Sequence, residues 1–123
     1  MCSSDLTKDN KAGMHAQHGQ NYSFFGAPVG IMFTIDKVMQ QGSWLDYGMF
    51  LQTIMLAARA RGLHTCAEAA IASFPDVVRR ELGIARDSIV ICGMALGYAD
   101  PDAAVNTFRP ERIALDEYAV FMD

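Results

Sequence analysis

The chain is short of cysteine, carries no excess of positive charge and has no long apolar run, and each shortage closes off a class of protein. Its 123 residues hold only Cys2, Cys66 and Cys92, an odd set without metal-type spacing. That argues against a disulfide-framed secreted module and against a thiolate metal site. His15 and His18 stand close together without a second ligand pair, so no metal centre is expected. Lys and Arg number 10 against 14 Asp and Glu, and the net charge of −4 gives no reason to expect nucleic acid or an anionic membrane as partner. No stretch approaches the ~18 uninterrupted apolar residues of a membrane span. The N-terminus lacks a basic segment followed by an apolar one, so a cytoplasmic location is expected. Internal repeats and low-complexity segments are also missing.

What is present is a globular composition, 51% hydrophobic, in a chain long enough for one domain at most. Its most informative stretch runs over residues 46–63 and reads as a helix that is apolar nearly all round. Between Trp44 and Arg61 the only formal charges are Asp46 at the start and Arg59 and Arg61 at the end, where the helix dipole favours them. Ser43 can cap the helix, and Gly62 supplies the stop. A chain this short cannot easily cover such a helix, which points to a partner or a missing piece.

Elsewhere, residues 8–20 have a weak helical pattern. The run from Ala27 to Asp36 is short, apolar and β-branched, and reads as a buried strand. Residues 64–73 form a compact segment of small side chains, after which Pro75 and Asp76 open a second helix that Gly83 stops. Ser88 to Gly97 reads as another core strand, and the tail from Asp100 is loop-like. The order predicts an α+β domain with helices packed on a sheet, and an incomplete one.

Four blocks carry a family resemblance in sequence order: residues 24–31 (FFGAPVGI), 42–49 (GSWLDYGM), 56–66 (LAARARGLHTC) and 92–100 (CGMALGYAD). Together they resemble the C-terminal half of the FMN-dependent nitroreductases, over residues 8–121. On that basis residues 8–123 are the C-terminal portion of a nitroreductase-like domain and residues 1–7 a leader foreign to the family. The resemblance implies a homodimer with FMN at the subunit interface, NAD(P)H as reductant, and a ping-pong cycle that reduces nitroaromatic or quinone-like small-molecule acceptors. Family members are roughly twice this length or a little less. Their N-terminal half grips the flavin phosphate and ribityl chain with an arginine- and serine-rich segment that this chain lacks.

Residue by residue, the segment Thr65 to Ala70 matches the family loop whose backbone amides lie beside the flavin ring, so Ala67, Glu68, Ala69 and Ala70 are candidate cofactor contacts. Relatives commonly have proline where Ala67 stands. The plain alternative is a small-residue turn between a helix and the next element. Arg109 and Arg112 match the basic positions that neutralise the FMN phosphate, for which a forked guanidinium is suited. Their alternative is a pair of solvated arginines in an acidic tail. No side chain is assigned as catalytic acid, base or nucleophile. Tyr47, Met49, Phe50 and Met55 read as core or dimer interface, and Trp44 as an interface anchor or the rim of a flavin pocket. Two further functions stay open: a non-catalytic dimerising fragment with an incomplete flavin site, and a small thiol enzyme centred on Cys66.

Overall fold

The computed structural model describes residues 10–122; the expected leader and Lys8 lie outside them. Helix α1 spans Lys11–Gly19, and the Asn10 side chain accepts a hydrogen bond from the Gly13 amide at 2.8 Å. A 3₁₀ segment, Gln20–Gly26, leads into strand β1, Val29–Asp36. Helix α2 covers Gln41–Arg59, strand β2 His64–Glu68, helix α3 Pro75–Leu82 and strand β3 Ser88–Gly97. Two single-turn helices, α4 at Ala104–Thr107 and α5 at Leu115–Tyr118, punctuate the tail.

The sheet has the order β1-β3-β2, both pairings antiparallel. β3 is therefore flanked on both sides, and it carries half of the buried apolar core: Val90, Cys92, Met94 and Ala95 are buried. α2 lies across one face, where Phe33, Cys92 and Met94 meet Ile31, Tyr47, Leu51, Ile54 and Met55. The Tyr47 hydroxyl donates to the Thr34 carbonyl at 2.9 Å and so ties helix to strand. The opposite face is much thinner. There the Phe24 ring lies over Gly30 and Gly93, and Ile71 closes the patch.

That second face depends on glycine. Phe24 and Phe25 both sit at positive φ (51° and 53°), a strained conformation for aromatic residues, and the docking of the Phe24 ring into the glycine trench offsets the strain. A Cβ built on Gly93 would run into the Ile71 Cδ1 and lie 3.1 Å from the Phe24 ring. Gly93→Ala is accordingly expected to lower stability by about 1–3 kcal/mol. Gly48→Ala, in α2 with nothing within 4 Å of the new methyl, is expected to raise it by about 0.5–1 kcal/mol. Urea titration of the two variants checks the contrast in sign.

Three boundaries differ from the sequence reading. α2 begins at Gln41, so Ser43 lies inside the helix and does not cap it; Gln40 holds the N-cap position without a side-chain hydrogen bond. β1 begins at Val29, because Ala27 is an extended lead-in and the chain bends at Pro28 before pairing starts. The compact segment at 64–73 is a strand followed by a 3₁₀ turn, Ala69–Ser73. The remaining helix ends follow the signals in the chain: Gly62 (φ 74°) lets the Leu63 amide reach back to the Ala58 carbonyl, and Gly83 (φ 66°) ends α3.

α2 is the apolar helix expected, and it is left uncovered. Only Ala58 of it is buried, while Trp44, Leu45, Met49, Phe50 and Leu56 are exposed. No helix among the described residues is long and apolar enough to cross a membrane.

Candidate functional site

β2 is the element on which the site turns. The Gly62 turn delivers the chain from α2 to the open side of β3, where β2 pairs through His64↔Gly97, Cys66↔Ala95 and Glu68↔Gly93. Because β2 is an edge strand, alternate backbone N–H and C=O groups point outward without a sheet partner. The side chains beside them are small: Cys66, Ala67 and Ala69 are exposed and Ala70 is half-buried. Such an edge lets a flat, polar-rimmed molecule come within hydrogen-bonding range of the main chain. The expectation of a loop or simple turn at Thr65 to Ala67 is thus replaced by an edge strand, with Ala69 and Ala70 opening the following 3₁₀ turn.

Glu68 departs from its neighbours. It is 1% exposed, turned toward the Gly93 and Ile71 side of the sheet, and neither carboxyl oxygen has a hydrogen-bond partner. Burial pushes its pKa above the usual carboxylate range. Burial first, and the Glu68 charge second, also push the Cys66 and Cys92 thiols up. The raised pKa withholds the thiolate that a nucleophilic Cys66 would need, and its Sγ touches only the Ala67 carbonyl, at 4.0 Å. The thiol-enzyme reading has no support from this geometry.

Arg109 and Arg112 are exposed in the tail. Arg109 donates to the Asn106 and Phe108 carbonyls, and Arg112 to those of Pro110 and Glu111. Neither pairs with an acidic side chain among the described residues, which leaves both guanidinium groups electrostatically available. The structure gathers Ala67, Glu68, Ala69 and Ala70 in one place and does not join the two arginines to them. Trp44 lines an open hollow with Met39, Gln40, Gln41 and Leu45 at the start of α2. His15 lies on the exposed surface of α1, and no group of three potential metal ligands occurs among the described residues. The sequence reading missed the burial of Glu68, for which no local signal exists: a glutamate in a row of alanines reads as a solvated residue.

A small antiparallel sheet, one long helix across it and an open-edged β2 with small side chains make up an α+β arrangement with its main-chain edge accessible. The nitroreductase family model matches residues 3–98, and the chain belongs to that family. It is 45% identical over 117 residues to a 4-nitrobenzoate reductase of Pseudomonas putida, covering 95% of this chain and 52% of the relative. It is 40% identical to a chloronitrobenzene nitroreductase of Comamonas testosteroni, covering 98% of this chain and 51% of the relative. Among solved structures, the FMN- and NADPH-dependent nitroreductase NfnB of Sphigopyxis sp. strain HMH superposes with a TM-score of 0.92 at 39% identity, over 98% of this chain and 54% of that one. NfnB of Mycobacterium smegmatis, solved with NADPH, gives 0.92 at 30% identity with the same coverage. The chain spans about half the length of the relatives it matches.

Proposed function

We propose that the chain supplies the C-terminal half of an FMN-dependent NAD(P)H oxidoreductase that reduces nitroaromatic or quinone-like acceptors by ping-pong hydride transfer. The observation that carries this reading is the superposition of 98% of the chain on about half of FMN- and NADPH-dependent nitroreductases, with β2 and its small side chains at the exposed sheet edge. FMN, when bound, would supply the hydride-transfer chemistry between NAD(P)H and the acceptor. The protein's part is binding and orientation. The main chain of Ala67 to Ala70 offers hydrogen-bond groups to the ring edge, and Arg109 and Arg112 offer charge to the phosphate.

The uncovered apolar face of α2 supports a homodimer, since a patch of this kind is an aggregation liability on a monomer. The proposed location is cytoplasmic. A second reading is favoured by one observation, that both arginines donate to carbonyls of their own tail segment: a dimerising fragment whose flavin site is incomplete.

Visible absorbance after addition of FMN and desalting separates the two. Retained flavin colour supports the oxidoreductase and makes NAD(P)H oxidation assays worthwhile. A colourless protein that still sediments as a dimer supports the fragment, and a colourless monomer overturns both readings.

A further inference from the structure

At the junction of α2 and β2, two hydrogen-bond donors meet with nothing to accept from them. The Ala99 backbone N–H donates to His64 Nδ1 at 3.2 Å, which requires a bare nitrogen there and puts the ring hydrogen of a neutral imidazole on Nε2. Nε2 then faces an Arg59 terminal nitrogen at 2.7 Å, and a guanidinium has donors only. Moving the ring hydrogen to Nδ1 relieves the Arg59 contact but sets it against the Ala99 amide. In either tautomer the cluster is one acceptor short, and in a doubly protonated ring it is two short.

No acidic side chain fills the gap. The ion pairs among the described residues are Arg79–Asp76 and Arg80–Glu81, and Arg59 makes no hydrogen bond to a backbone carbonyl. The His64 ring is nonetheless held in place beside the exposed Arg59 side chain. His64 is half-buried at the first position of β2 and pinned by Ala99, while Arg59 occupies the last turn of α2. A role confined to the helix dipole would account for a positive charge at that end of α2, but not for its approach to an imidazole with no acceptor between them.

We propose that Arg59 and His64 form an oxyanion site, in which one carboxylate or phosphate group accepts from the guanidinium fork and from His64 Nε2–H together. The site is separate from the Ala67–Ala70 edge, and its existence does not depend on flavin binding.

The test is titration of the whole chain with inorganic phosphate and, in parallel, with benzoate, at ionic strength held constant with chloride. Binding is followed by the His64 ring resonances and by calorimetry, with His15 and His18 as internal controls. The expected result is a saturable shift confined to His64, and about tenfold weaker binding in Arg59→Gln, the loss of one charge-assisted hydrogen bond. Saturation by phosphate alone assigns a phosphate-type ligand, and by benzoate alone a carboxylate. If Arg59→Gln loses its far-ultraviolet circular dichroism, His64→Asn, which leaves α2 untouched, is measured by calorimetry with the same expectation. The proposal is overturned if neither anion shifts His64 saturably, or if the folded variant binds as tightly as the parent.

Discussion

Phe33→Ala is expected to cost about 3–5 kcal/mol, enough to unfold most of a small domain at 37 °C. Phe33 is buried on β1, where it packs with Cys92 and Met94 and meets the rings of Tyr47 and Phe50 edge-on, at centroid distances of 6.4 Å each. It is therefore the residue through which α2 is seated on the sheet. Truncating it leaves a cavity between helix and strand and removes two aromatic contacts. Phe50→Ala, from the exposed side of the same cluster, is expected to cost about 0.5–1.5 kcal/mol in the isolated chain, mostly lost edge-to-face contact. Urea midpoints measured at several protein concentrations decide between core and interface. A Phe50→Ala penalty that grows with concentration marks the outer face of α2 as a subunit contact, because association stabilises by mass action. Near-equal, concentration-independent penalties for the two variants would show that the core is not organised around Phe33.

Glu68→Gln is expected to stabilise the chain at neutral pH by about 1–3 kcal/mol and to flatten its pH dependence. The folded state binds the Glu68 proton more tightly than the unfolded chain does, because burial without a partner disfavours the carboxylate. The stability linked to that proton is fully present below the carboxylate's unfolded value. It is lost as pH rises through the folded, elevated value. Wild type should therefore weaken from acid toward neutral pH relative to Glu68→Gln, and the two should converge at low pH where both side chains are neutral. Thermal melts across that range read the difference directly. Parallel curves would mean that Glu68 finds a donor in solution.

The contrast between these sites shows how much the chain's own letters carry. β3 is legible end to end from Ser88 to Gly97, because a strand covered by α2 on one face and by Phe24 and Ile71 on the other needs apolar residues on both and so leaves a continuous run. α3 is equally plain, with proline at its first position and Gly83 at its end, since both signals act within a few bonds. β2 is not legible. His64 to Glu68 has neither alternation nor β-branched density, and it is a strand only because β3 offers it an unpaired edge. The start of α2 misled for a related reason: Ser43 has the chemistry of a cap, but the bend that follows β1 lets the helix begin at Gln41.

Composition, charge, the apolar character of α2 and the ordered family blocks were decided by sequence alone, because each is a property of residue type and spacing. Tertiary structure alone decided that Glu68 is buried without a partner, that Arg59 and His64 converge, and that Arg109 and Arg112 stand apart from β2. Those outcomes depend on how segments are placed against one another in space. Burial and unmet hydrogen bonds are relations across the fold, and no local pattern encodes them.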